Sequence, residues 1–179
     1  MGSFSTGGAM VMLRQNAVAV AGVLLVLGAT CVEARERVPF AGLHSPGEIV
    51  VRQSERRLYL VLGDGTALRY PVAVGKAGKQ WAGRARINAK YHQVAWSPPA
   101  SVKRDRPWLP DVIAAGDPAN PMGARVLSLP GEYAIHGTSA SMRASVGSAA
   151  SYGCIRMLNE DIIDLFDRVS VGTVVTVVR

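Results

Sequence analysis

The chain has 179 residues, 49% of them hydrophobic, 18% charged and 6% aromatic, the size and balance of a single globular domain and not of an intrinsically disordered chain. Nineteen Gly and ten Pro, irregularly spaced, exclude collagen and low-complexity linkers, and two Cys exclude a disulfide scaffold and a four-cysteine zinc site. The formal charge of +7 at pH 7 points to an acidic partner, although a basic solvated surface produces the same number.

Ala17 to Ala29 is an uncharged run of Ala, Val, Leu and Gly, preceded by Arg14. It is too short for the ~20 apolar residues a membrane span needs and matches the core of a secretory signal. Val32 and Ala34 occupy the −3 and −1 positions of a small-residue cleavage site. Residues 1–34 are therefore predicted to be an export signal removed before Arg35, with an uncleaved N-terminal anchor as the alternative. Residues 35–46 form a lead and 47–179 the functional domain. Export argues against nucleic acid as the acidic partner. It also removes Cys31 and leaves Cys154, which is then an inert buried thiol, an intermolecular link or a nucleophile.

Glu48–Gln53 and Arg57–Leu62 are β-branched and aromatic, and Gly63-Asp64-Gly65-Thr66 is a hairpin signal. Leu68–Val74 is a third strand, with Pro71 pointing to an edge or a bulge. Ala85–Asn88 and Gln93–Trp96 read as short strands, and His92 between them as a surface residue. Residues 97–123 form a long loop punctuated by Pro and carrying Lys103, Arg104 and Arg106, and loops of this length in a compact domain tend to be lids or binding loops. Arg125–Ser128 and Tyr133–Ile135 return to strand character. Asn159–Val169 is the one strong helix, with Asn159 as its cap, Glu160 and Asp161 at its positive end and a broad apolar face. Thr173–Val178 closes the chain as a strand. The fold class is mostly β, a sandwich or small barrel with one main helix after Cys154.

His136 ends a short apolar strand, and Ser151-Tyr152-Gly153-Cys154-Ile155-Arg156-Met157 follows, with Cys154 eighteen residues after His136. An imidazole that accepts a thiol proton raises the reactive fraction of the cysteine. Gly153 permits an unusual backbone angle, and the amides of Gly153 and Cys154 can bind a developing oxyanion. Arg156 can clamp a carboxylate bidentately or pair with the acids at 160–167. Trp81 and Trp96 line a groove or belong to the core. A zinc site needs three or four suitably spaced ligands, and His136, Cys154 and scattered acids do not supply them. From pattern alone the Cys–His pair has no visible third member.

I-H-G-T at 135–138 and S-Y-G-C-I-R-M at 151–157, with the N-E-D-I-I-D-L-F helix and the V-G-T-V-V-T-V ending at 171–177, resemble the YkuD-type L,D-transpeptidases, in particular the ErfK/YbiS branch. The resemblance extends upstream through V-G-K at 74–76, W-S-P-P at 96–99 and N-P-M-G-A-R at 120–125, and so covers nearly all of 47–179. It implies a YkuD-type catalytic fold and an exported acyltransferase of the periplasm or cell wall. Cys154 would be its nucleophile, His136 its general base and acid, and Gly153 an oxyanion donor, while Arg156, Tyr152, Ser151 and Gly137 would contact substrate. Stem peptides of peptidoglycan would be donor and acceptor, giving 3→3 crosslinks with release of D-Ala and no metal or cofactor. Water as acceptor would give hydrolysis, the lysine of an outer-membrane lipoprotein would give attachment to the wall, and a noncatalytic wall-binding module is the remaining alternative. Many family members carry His where this chain has Tyr152. Gly137 has no hydroxyl to orient His136, which leaves that task to a backbone carbonyl.

Overall fold

The computed structural model describes residues 1–4 and 35–179, so the bulk of the predicted export segment lies outside the described residues. Residues 35–179 form an open β-sandwich. One sheet has six strands and another four, and a separate pair is formed by β5 (Val74–Gly75) and β10 (Ala149–Ser151). Neither sheet closes on itself, so of the sandwich and barrel expected for this fold class the sandwich is present.

The six-stranded sheet begins with β1 (Glu36–Pro39), in the segment assigned above to a lead. It lies antiparallel to β4 (Thr66–Pro71), which pairs with β3 (Arg57–Val61), which pairs with β2 (Ile49–Arg52). The predicted turn joins β3 to β4, with Gly63 and Gly65 at positive φ. Pro71 does not mark an edge strand. It pairs with Arg57 on one side but lies past the four residues that face β1, so its missing N–H leaves no ladder position empty. β12 (Val174–Val178) runs parallel to β2 and antiparallel to β6 (Gly83–Arg86).

Period-2 alternation in β2 explains why both faces of this sheet are covered. Ile49 and Val51 face the main core, whereas Val50 joins Phe40, Tyr59, Val61 and Ala67 in a smaller cluster on the outer face. Leu127, Ile135 and Ile155 of the four-stranded sheet enter the main core, as do Ile162, Leu165 and Phe166 of the long helix, all 8% exposed or less.

That sheet consists of β7 (Ala89–Tyr91), β8 (Val126–Ser128), β9 (Ala134–His136) and β11 (Ile155–Arg156). Gln93–Trp96 is not a strand. Trp96 instead bridges Ile113, each amide donating to the other's carbonyl at 2.8 Å, and closes the base of the long loop. Asn120 reinforces that closure by donating to the carbonyls of Val94, Ile113 and Ala114. The loop itself contains a helical turn, α1 (Ala100–Asp105).

The predicted main helix is α2 (Asn159–Arg168). Glu160 and Asp161 occupy its first turn, where the dipole favours anions, and Arg168 bonds Asp164 one turn back at 2.8 and 2.9 Å. Asn159 is not its cap, however. Leu158 holds that position and no side chain caps it.

Candidate active site

β9 and β11 lie parallel, with Ile155 opposite Ile135 and Arg156 opposite His136. Side chains alternate between the faces of a strand. Ile135 and Ile155 point into the core, both fully buried. Arg156, its register partner His136 and Cys154, two residues before Arg156, then share the opposite face. All three line one cavity of about 800 Å³. Residues twenty apart in sequence, His136 and Arg156, are thus set side by side by one parallel strand pair, with Cys154 on the same cavity.

Gly153 enables the turn that presents Cys154. Its φ is +126°, and a Cβ there would lie 2.7 Å from the ring of Tyr133. Tyr133 cannot yield easily, because Trp81 stacks on it at 4.8 Å between ring centroids and donates its indole N–H to the Gly153 carbonyl at 3.1 Å. Trp81 therefore buttresses the turn from behind, whereas Trp96 lines the cavity. The Ser151 hydroxyl closes the turn from inside, accepting from the Gly153 N–H at 3.1 Å and donating to the Cys154 carbonyl at 2.5 Å. These bonds revise two expectations. The Gly153 N–H is already taken by the Ser151 hydroxyl, which leaves the Cys154 amide as the candidate of the two considered for an oxyanion. Ser151 is 1% exposed with its hydroxyl engaged, a strut of the turn and not a free group for substrate.

His136 is oriented by the backbone carbonyl of the next residue. Nδ1 lies 2.8 Å from the Gly137 oxygen. A carbonyl only accepts, so Nδ1 carries the proton and Nε2 is left as the acceptor. Burial, with the positive charge of Arg156 second, pushes the imidazole down to about 4, against the opposite pull of the Gly137 and Pro121 carbonyls. Burial raises the Cys154 thiol above its ordinary value. The Ala134 backbone and Arg156 pull it down, and Glu132 pushes it up. The resting pair is a neutral imidazole and a neutral thiol, and the thiol donates to the Glu132 carbonyl at 3.6 Å.

Gly137 does not face the cavity. A Cβ on it would stand 2.2 Å from Asn159 Oδ1 and 2.9 Å from the Ala124 amide. Asn159 reaches from the first residue of α2 into the loop after His136. Its Oδ1 accepts from the amides of Ala124 at 3.0 Å and Thr138 at 3.1 Å, and its Nδ2 donates to the Thr138 carbonyl at 3.0 Å. Gly137, expected to touch substrate, is instead the gap through which this amide side chain fixes the carbonyl that orients His136. The sequence signal for Asn159 was a polar residue at the start of a helix, which reads equally well as a cap.

Arg156 is 8% exposed. One guanidinium nitrogen donates to the Ser145 hydroxyl at 2.7 Å, and Nε is buried without a partner. It makes no ion pair with the acids of α2; Glu160 pairs with Arg143. Arg106, at the end of α1, lines the same cavity and disfavours the charge on Arg156. Sequence reasoning placed Arg106 in a basic loop without assigning it to the site. Tyr152 also lines the cavity. Its hydroxyl donates to Asp105 at 2.7 Å, and Lys76 lies 4.0 Å over its ring while pairing with Asp105 at 3.0 Å. His92 is exposed outside the cavity, edge-on to Phe166 at 5.3 Å. Among the described residues, no group of three His, Cys, Asp or Glu side chains is placed to hold a metal ion.

Comparison with known proteins shows the family and the fold. The family model of the YkuD L,D-transpeptidase catalytic domain matches residues 46–177. A probable L,D-transpeptidase, YbiS of Escherichia coli, is 38% identical over 135 residues, covering 70% of this chain and 42% of the relative. The probable L,D-transpeptidase ErfK/SrfK of Salmonella typhimurium is 37% identical over 139 residues, covering 73% and 43%. The chain thus spans less than half the length of these relatives. Among solved structures, an L,D-transpeptidase from Mycobacterium smegmatis has the same fold, with a TM-score of 0.57 at 17% identity over 73% of this chain and 58% of that one.

Proposed function

Since the chain belongs to the YkuD family of L,D-transpeptidase catalytic domains, we propose that it is an exported cysteine transpeptidase acting on peptidoglycan stem peptides. The observation that carries this reading is the β9–β11 register, which puts Cys154, His136 and Arg156 on one face of one cavity.

Cys154 attacks the amide between the third residue of a donor tetrapeptide and its terminal D-Ala. The thiol is neutral at rest, so it turns from the Glu132 carbonyl and passes its proton to Nε2 of His136 as the C–S bond forms. An imidazole held near 4 is a weak base but, once protonated, a strong acid. It gives the proton promptly to the departing amine of D-Ala, leaving a thioester on Cys154. The Cys154 N–H is the remaining local donor for the oxyanion. Arg156, buried, with a free Nε and no carboxylate partner, binds a carboxylate of the stem peptide, and Arg106 adds a second positive charge above it. The side-chain amine of a second stem peptide then attacks the thioester, which gives the 3→3 crosslink and restores the thiol.

This reading requires transfer across the cytoplasmic membrane, which the apolar run Ala17–Ala29 supports. N-terminal sequencing of protein from its native host is expected to begin near Arg35, and a cytosolic protein beginning at Met1 would contradict it. The chemistry is tested by mass spectrometry of the intact protein after incubation with a carbapenem. A single adduct is expected on Cys154 and none on Cys154→Ser, since oxygen is a far poorer nucleophile in this setting. A folded protein that forms no adduct, or forms it elsewhere, removes the nucleophile from Cys154.

A further inference from the structure

Charge is distributed unevenly in the cavity. Lys79, Arg106 and Arg156 are its cations, and Glu132 is the only acidic side chain lining it among the described residues. The backbone of Glu132 is fixed against the nucleophile, its carbonyl accepting the Cys154 thiol at 3.6 Å. Its side chain is exposed and has no hydrogen bond or ion pair among the described residues. Arg156 and Glu132 both act on the Cys154 sulfur, with opposite signs, and Glu132 is not among the charges that act on Arg156. Among the described residues, Glu132 is thus the one acidic residue on a cavity that also holds the thiol, Arg156 and Arg106, and its backbone is in contact with the nucleophile.

A site that only cleaved an anionic peptide would gain nothing from a free carboxylate next to its nucleophile, because that charge repels the substrate and opposes the thiolate. A group transfer to an amine is different. The second substrate arrives as an ammonium ion and must approach the thioester from a side not occupied by the donor. We infer that Glu132 is the recognition group for the acceptor ammonium, and so the residue that favours transfer to an amine over transfer to water. The inference rests on the transpeptidase reading and specifies its second half-reaction.

The Glu132 carboxylate accepts hydrogen bonds from R–NH3⁺ beside the acylated Cys154. One proton leaves to solvent and frees the nitrogen lone pair. As the C–N bond forms and the C–S bond breaks, the second proton passes to His136 Nε2 and then to the departing sulfur. The products are the amide and the free thiol, with no other reactant required. The carboxylate raises the local concentration of the amine and confers no advantage on water.

The experiment uses the whole mature protein, acylated by a tetrapeptide with diaminopimelate at its third position, and measures the ratio of amide to hydrolysed product. Nα-acetyl-lysine serves as a cationic acceptor and hydroxylamine as one that is neutral at pH 7. For Glu132→Gln the amide ratio with acetyl-lysine is expected to fall roughly three- to fivefold, the upper range of an exposed charge pair, and the ratio with hydroxylamine to move by less than about 1.5-fold. Glu132→Asp should recover part of the loss, and Glu132→Lys should deepen it. Acylation itself should be as fast or faster in Glu132→Gln, because a charge that opposes the thiolate is gone. An equal fall with both acceptors, or none with acetyl-lysine, overturns the acceptor role. A wild-type protein that forms no acyl-enzyme overturns the transpeptidase reading and this inference with it.

Discussion

His136, Cys154 and Arg156 stand on paired strands whose other face, Ile135 and Ile155, is fully buried in the core. The wall opposite them, residues 92–123, has a different construction. Its regular structure is one short helix and one bridge, its base is tied by Asn120, and Trp108 and Val112 are left 75% and 58% exposed. Strand pairing fixes each residue through backbone bonds on one side and close packing on the other, so reacting groups kept there hold their geometry. The loop is tied at its base, by the Trp96–Ile113 bridge and Asn120, and by the contact of Asp105 with Tyr152 and Lys76, with few ladder bonds along its length. On the proposed function, the reaction geometry belongs to the sheet and the enclosure of substrate to the loop.

The largest effect expected from breaking the rigid side is at Arg156. Arg156→Ala should lower kcat/KM for a tetrapeptide by roughly 10- to 150-fold, corresponding to one charge-assisted hydrogen bond of about 1.5–3 kcal/mol. Arg156→Lys should restore only part, since a point charge does not reproduce the planar fork. A mutant with unchanged kinetics would leave Arg156 with a structural role. The same substitution tests the electrostatics of His136. In the wild type the acid limb of acylation should lie near pH 4 and not near the ordinary histidine value. Because the folded imidazole is depressed relative to the unfolded chain, the unfolded state binds more protons between those values. The contribution of His136 to stability is therefore complete above about pH 6.5 and is lost as the pH falls to about 4. Arg156→Gln should move the acid limb upward, but not to the ordinary value, because burial is the larger cause.

Gly137→Ala sharpens the comparison from the positioning side. A Cβ 2.2 Å from Asn159 Oδ1 must displace that side chain or the loop after His136. Thermal or denaturant unfolding should show a loss of about 1–3 kcal/mol, the range for overpacking. Acylation should slow by up to about 100-fold, as small misplacements of a catalytic group do. A variant that loses stability and keeps full acylation would separate Gly137 from the orientation of His136.

The smallest effect is expected on the loop side. Tyr152→Phe removes one exposed hydrogen bond to Asp105, which contributes no more than about 1 kcal/mol. The KM for a tetrapeptide should rise by about two- to fivefold, with little change in kcat or in alkylation of Cys154 by iodoacetamide, which needs no enclosure. If Tyr152→Phe slowed alkylation as strongly as the tetrapeptide reaction, the loop would belong to the reaction geometry and the contrast between the two walls would fail.

Local chemistry made much of this protein legible in its sequence. β-Branched runs gave β2, β3 and β12; Gly63 and Gly65 gave the hairpin; periodic apolar residues gave α2. The motifs around His136 and Cys154 singled out the candidate pair, since a nucleophile and its base need particular residue types. β1 and the two-residue β11 went unseen, because short strands are stabilised by partners distant in the chain and carry little pattern of their own. The register that sets Arg156 opposite His136 was equally invisible, and so were the contacts of three groups near it. Asn159 reads as a cap, Gly137 as a contact and the Gly153 amide as an oxyanion donor. Each reading is consistent with its immediate neighbours in sequence, and each is decided by atoms from elsewhere: Ala124 and Thr138 for Asn159, Asn159 for Gly137 and the Ser151 hydroxyl for Gly153. Residue type and local period determine which chemistry and which elements the chain can have. Hydrogen-bond partners, burial and the charges acting on a group depend on through-space distances that only the packed chain defines.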